Sequence, residues 1–254
     1  MCLALLALDA HPCFALVVAA NRDEYHARPT APAHWWEEGL LAGRDLHAGG
    51  TWLGVTRDGR FALLTNFRDP ARNDANAPSR GSLVPAVLTG TAGTPSALRR
   101  LLDDGASYNG FNLLAGTSAE AAWVSNRDTA IKRLARGSYG LSNALLDSPW
   151  PKVVRTKAAL GAWIERGTRD VEPLFDALAQ RDLAADAELP STGIALEWER
   201  RLSAAFIVGD NYGTRSSTVY TIDRDGNARF IERSFDADAV QTGEIEERFR
   251  IAGH

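Results

Sequence analysis

The chain has two cysteines, and the first stands directly behind the initiator methionine in MCLALLALD. Cysteine is small enough for that methionine to be trimmed, which leaves Cys2 with a free α-amine beside its thiol. Such an amine titrates at about 7.7–8.0 and a free thiol near ~8.5. One residue then carries a nucleophile and a base, the N-terminal form of activated covalent catalysis. The competing assignment is a small buried hydrophobe, the usual state of a free cysteine.

Four polar clusters interrupt apolar strand-like runs, where side chains from separate strands can converge. Asn21-Arg22-Asp23-Glu24 follows FALVVAA directly. A hairpin returning antiparallel brings this tetrad back to the chain start, near Cys2. An arginine beside a thiol favours the thiolate, and a carboxylate can orient the α-amine; a solvated turn with Arg22 and Asp23 bridged is the plainer alternative. Thr65-Asn66-Phe67-Arg68 and Gly140-Leu141-Ser142-Asn143 offer asparagine amides or backbone N–H groups as oxyanion donors, or simply asparagines that form turns. Tyr212-Gly213-Thr214-Arg215-Ser216-Ser217-Thr218 reads as a small-residue turn entering a strand, with Arg215 able to hold a carboxylate or complete an ion-pair network. Trp35 and Trp36, in the proline-rich RPTAPAHWWEEG, either cover the mouth of a site or pack.

Positioning these groups falls to short apolar runs. Residues 3–9 and 14–20 flank a tight turn, and 52–56 and 61–66 flank Asp58-Gly59, a strong hairpin signal. Runs 111–115, 121–125, 138–142, 204–208, 217–223 and 228–235 continue the series, the last two joined by RDGN. Helices are marked at Thr94-Pro95 through Gly105, at Ser148-Pro149 through Gly167, and after Asp170. About ten strands in two clusters with helices between them, and strands apolar on both faces, predict an α+β fold. The specific expectation is a four-layer αββα sandwich of two stacked antiparallel sheets. No linker or repeat divides residues 1–254, so one domain is expected.

At 254 residues, 45% hydrophobic and 24% charged with net charge −4, the chain has an ordinary globular composition. The absence of a basic excess argues against nucleic acid. Two cysteines exclude a disulfide framework and suit a cytoplasmic location. No HExxH or CxxC spacing points to a metal, and no cofactor is expected. Asp9, His11 and Pro12 interrupt the N-terminal apolar stretch, which predicts neither a cleaved leader nor a membrane span.

The start MC…NRDE, the RP that follows, TWLGV, TNFR, GLSN and YGTRSST together resemble the NRDE proteins, the Transport and Golgi organisation protein 2 family. Members of that family have been linked to Golgi organisation, haem trafficking and lipid or acyl-CoA metabolism. The order of motifs is also similar to the choloylglycine hydrolase and penicillin V acylase group of N-terminal nucleophile (Ntn) hydrolases, which have the αββα fold. That second resemblance implies Cys2 as nucleophile, with Arg22 and Asp23 beside it. It further implies the Phe67 backbone N–H and the Asn143 side chain as oxyanion donors, and Arg215 as a later site arginine. Two departures stand out. Arg22 and Asp23 are adjacent where the group separates them, which leaves Glu24 as an alternative carboxylate, and Phe67 lacks a tyrosine hydroxyl.

The expected function is a cysteine Ntn amidohydrolase or acyltransferase acting on a linear amide C–N bond. Asn21, Glu24, Asn66, Trp35 and Trp36 are its expected substrate contacts. The alternative is a non-catalytic Ntn-like carrier of a hydrophobic ligand such as haem, acyl-CoA or a lipid. The partner is thus a small acyl amide or a hydrophobic molecule, with homo-oligomerisation left open.

Overall fold

The computed structural model describes residues 2–90, 93–128 and 130–252. Met1, whose removal an N-terminal nucleophile requires, lies outside the described residues, as does His254. In chain order the strands are β1 (Cys2–Leu8), β2 (Phe14–Tyr25), β3 (Thr30–Trp35), β4 (Leu40–Asp45), β5 (Leu53–Thr56), β6 (Phe61–Asn66), β7 (Phe111–Gly116), β8 (Ala121–Ser125), β9 (Lys132–Leu134), β10 (Gly137–Leu141), β11 (Tyr212–Asp223), β12 (Asn227–Phe235) and β13 (Gln241–Arg250). The helices are α1 (Leu83–Thr89), α2 (Thr94–Asp103), α3 (Pro151–Arg166), α4 (Glu172–Leu178) and α5 (Leu196–Arg201).

All strand pairs are antiparallel. One sheet runs β10-β1-β2-β11-β12-β13 and the other β3-β4-β5-β6-β7-β8-β9. Side chains alternate across a strand, and β1 shows what that does here. Ala4, Leu6 and Leu8 enter the core between the two sheets, together with Leu53, Val55, Leu63 and Trp123 of the second sheet. Leu3, Leu5 and Ala7 face the opposite way, onto Val153 and Leu160 of α3 and Leu174 of α4. The second sheet is covered on its far side by Val84 and Leu88 of α1 and Leu98 of α2. Helices, sheet, sheet, helices: the expected αββα layering holds, because strands apolar on both faces must be buried on both. Among the described residues no helix is long and apolar enough to cross a membrane.

Several local expectations change. The NRDE tetrad does not follow the strand but lies within it, since β2 continues to Tyr25 against β11. YGTRSST likewise belongs to β11, with a bulge at Arg215 between the pairs Thr214–Asp23 and Ser216–Arg22. Residues 204–207 are buried and Val208 is exposed, and the run forms no strand. Their polar backbone is met by other partners, with Phe206 N–H on the Gln180 carbonyl and Ile207 N–H on the Thr214 hydroxyl. Helix α3 starts at Pro151 with Trp150 as its N-cap, two residues after Pro149, and ends as expected on Gly167 in the left-handed conformation, φ +63°. The proline-rich segment holds β3, an edge strand, where a missing proline N–H costs no ladder bond.

Candidate active site

Cys2 is the first residue of β1 and pairs with Arg22 on β2. Extending the alternation of both strands, Cys2 and Arg22 fall on the face that looks between the sheets, while Asn21 falls on the helix side. Its hydrogen bonds agree: Asn21 Nδ2 donates to the Leu178 and Ala205 carbonyls at 2.8 and 2.9 Å, and Oδ1 accepts from Ser217 Oγ at 2.6 Å. The Asn21 side chain, expected as a substrate contact, therefore anchors the helical layer and does not border the cavity beside Cys2.

Where the sheets part at the end of β1, a cavity of about 430 Å³ opens. Cys2, Arg22, Asp23 and Glu24 form one wall, Asn66 and Trp52 another, and the strap from Ala75 to Gly81 closes over it. Arg22 is 4% exposed. Its Nη1 donates to Thr30 Oγ1 at 2.9 Å, its guanidinium lies 4.5 Å from the centre of the Trp52 ring, and Glu24 is 3.9 Å away. Burial pushes the Cys2 thiol above its ordinary value and the Asp23 charge adds to that; the Asp23 backbone N–H and the Arg22 guanidinium act in the opposite direction.

Asp23 is 1% exposed, and burial raises its carboxyl pKa against the pull of Lys152 and Arg22. Its Oδ1 accepts from Thr214 Oγ1 at 2.7 Å. Lys152, in the first turn of α3, is also 1% exposed, and its ammonium has no hydrogen-bond partner among the described residues. Burial brings its pKa down to about 8, with Asp23 and Cys2 resisting. Glu24 sits on the cavity wall, half-buried, its Oε1 accepting from the Tyr25 N–H at 2.9 Å. Both carboxylates left open by the sequence border the cavity with Cys2, and the Asp23 charge acts to raise the thiol pKa.

The segment after β10 ties the sheets together at this point. Ser142 Oγ donates to the Cys2 carbonyl at 3.1 Å, and Thr65 Oγ1 donates to the Ser142 carbonyl at 2.6 Å. Asn143 Nδ2 donates to the Asn66 carbonyl at 2.8 Å, so it holds the end of β6 and stands behind the wall that Asn66 forms. The Phe67 N–H, expected as an oxyanion donor, is committed to the Gly110 carbonyl at 2.8 Å. Arg215 does not border the cavity. The bulge turns it toward the turn after β2, where Nη1 donates to the Tyr25, His26 and Arg28 carbonyls at 3.3, 3.2 and 3.3 Å.

Trp35 and Trp36 are also elsewhere. Trp35 packs edge-on to Phe249 and donates to Glu247, and Trp36 is buried with its indole N–H on the Ala42 carbonyl. The aromatic wall is Trp52, which stood in the TWLGV motif without a role assigned to it. Arg28, Arg80 and Lys152 were missed altogether, because nothing in their local sequence separates them from surface cations. Among the described residues no three His, Cys, Asp or Glu side chains group as a metal site.

A model of the family described as Transport and Golgi organisation 2 matches residues 1–237. The chain belongs to that family. Within the Transport and Golgi organisation 2 family it is 37% identical to the Bos taurus Transport and Golgi organization protein 2 homolog, over 92% of this chain and 93% of that one. It is 34% identical to the Homo sapiens homolog over the same shares. Among solved structures it is similar to variants of the conjugated bile acid hydrolase of Clostridium perfringens. One superposes with TM-score 0.56 at 7% identity, covering 99% of this chain and 93% of that one. A second gives 0.54 at 8% identity, covering 100% and 93%. At such identity the likeness is one of fold, the αββα sandwich described above.

Proposed function

We propose that this protein is a cysteine Ntn hydrolase or acyltransferase acting on a linear amide C–N bond. The observation that carries the proposal is the single cavity bordered by Cys2, Arg22, Asp23 and Asn66. The fold likeness to a protein named a hydrolase supports it at the level of architecture.

Because burial keeps the Cys2 thiol protonated near neutral pH, attack needs a base. With Met1 removed, the α-amine of Cys2 takes the thiol proton as the sulfur bonds to the amide carbonyl carbon. Asp23 orients the ammonium so formed. The carbonyl oxygen becomes an oxyanion held by the Asn66 side-chain amide, which Asn143 steadies from behind. The ammonium then gives its proton to the leaving nitrogen, the C–N bond breaks and an acyl thioester remains. Water, or an acceptor amine or alcohol, attacks that thioester and frees Cys2. The charged and polar residues on the wall suit a polar amide better than a lipid that is apolar throughout.

The test is intact-mass analysis of the purified protein, followed by an acyl-amide panel against wild type and Cys2→Ala. The expected results are loss of Met1, cleavage by wild type with an acyl adduct on Cys2, and no cleavage by the variant. Equal turnover by Cys2→Ala, or Met1 retained on active protein, overturns the proposal.

A further inference from the structure

Among the described residues, one guanidinium on the cavity wall has no carboxylate within ion-pair distance. Arg28 is held by Asp45 at 2.6 Å, and Arg22 and Arg28 each stand 3.9 Å from Glu24. Arg80 borders the same cavity as Cys2. Among the described residues no carboxylate lies within ion-pair distance of Arg80, and its single hydrogen bond runs from Nη1 to the Gly110 carbonyl at 2.8 Å. Burial draws its pKa below the ordinary arginine value, partly offset by Glu24 and Cys2. Arginine remains a cation under such conditions, and a half-buried cation without a counter-ion is costly.

Arg80 is also held in place. Gly81 N–H donates to the Ser79 hydroxyl at 3.3 Å, and the Thr51 N–H donates to the Gly81 carbonyl at 3.0 Å. A Cβ on Gly50 would sit 2.4 Å from that carbonyl group, so the strap lies as close to the segment after β4 as two glycines allow. A guanidinium on a clamped strap at the cavity wall, with one N–H on a carbonyl, has further donors in the fork geometry that a carboxylate matches.

We propose that Arg80 is the anion-recognition group of this cavity and that the ligand is a small acyl amide bearing a carboxylate. Asp23, Glu24 and Asp45 border the same cavity and repel a phosphate dianion more than a singly charged carboxylate, which favours the carboxylate. Trp52 and Leu64 supply apolar wall for the acyl chain. This inference rests on the amide-hydrolase reading of the same site, and its test separates the two.

N-octanoylglycine and its uncharged counterpart N-octanoylglycinamide are titrated calorimetrically into Cys2→Ala, which binds without turnover, and into Cys2→Ala carrying Arg80→Gln or Arg80→Lys. The expected result is a preference of about tenfold or more for the carboxylate, lost in Arg80→Gln and partly kept in Arg80→Lys, with affinity for the uncharged amide unchanged. A preference that survives Arg80→Gln, equal binding of the two probes, or binding of neither overturns the anion site. Displacement of the acylglycine by inorganic phosphate at equal concentration overturns the assignment to a carboxylate. Kinetics of the Cys2-bearing protein complete the separation. Charge-selective binding by Cys2→Ala with no hydrolysis by wild type leaves the anion site standing and the hydrolase reading refuted. Equal hydrolysis of both probes does the reverse.

Discussion

Cys2 and Arg22 are cross-strand partners at the open end of the β1–β2 pair. That register places a thiol and a guanidinium on one face without any loop between them, and Trp52 packs on the arginine from the opposite sheet. The thiol is thus subject to opposed influences: burial, with the Asp23 charge, favours the neutral form, while the Asp23 backbone N–H and the fixed Arg22 cation favour the thiolate.

Removing the cation takes away one of the influences that oppose burial and leaves the Asp23 backbone N–H in place. Arg22→Gln is expected to slow alkylation of Cys2 by iodoacetamide at pH 7 by about three- to tenfold, the size of half to one pKa unit. Peptide mass spectrometry reads it, with Cys13 as the internal reference. A ratio of Cys2 to Cys13 labelling that does not move would remove Arg22 from the account of the thiol.

Asn21 makes a different kind of contribution from its neighbour in sequence. Asn21→Ala strands the Leu178 and Ala205 carbonyls and the Ser217 hydroxyl in a buried layer. A loss of roughly 2–4 kcal/mol is expected from two or more unsatisfied groups, measured by urea unfolding. A variant as stable as wild type would show that the layer is not built on this side chain.

Lys152 gives the folded protein a pH signature. Its pKa falls from 10.5 to about 8 on burial, so between those values the unfolded chain binds the extra proton and stability rises with pH. Below pH 8 both states are protonated and the cost is present in full, of the order of 3 kcal/mol for a shift of this size. Lys152→Met is expected to lose that rise. Urea titrations of both proteins from pH 7 to pH 10.5 isolate it as a difference, and parallel curves would contradict it.

Gly50→Ala forces a methyl against the Gly81 carbonyl, where 2.4 Å leaves no room. The strap must move or the end of β4 must yield, at a cost of about 1–3 kcal/mol. The thermal midpoint should drop, and binding of N-octanoylglycine should weaken with it, since Arg80 rides on the strap. Unaltered binding in the destabilised variant would mean that Arg80 is not positioned through this contact.

Local chemistry made much of the fold legible. Asp58-Gly59 and RDGN are turns with glycines at φ +82° and +80°, and their hairpins fall where the residues put them. The motifs from MC to YGTRSST marked the family, which the family model then showed. Strand β13 was missed because Gln241–Arg250 is an edge strand with alternating exposed charges and almost no apolar signal. Residues 204–208 misled for the opposite reason: they are apolar and buried up to Ile207, yet side chains such as Thr214 satisfy their backbone.

By itself the sequence determined that two doubly buried sheets form and that an antiparallel return brings Arg22 back to Cys2. Hydrophobic period, turn residues and strand direction are properties of neighbours along the chain, so they can be read there. Tertiary structure alone decided that Phe67 N–H is spent on Gly110, that Asn21, Trp35 and Trp36 face away, and that Lys152 and Arg80 gather near the thiol. Desolvation and charge pairing are sums over groups brought together from remote segments, and no short stretch of residues contains them.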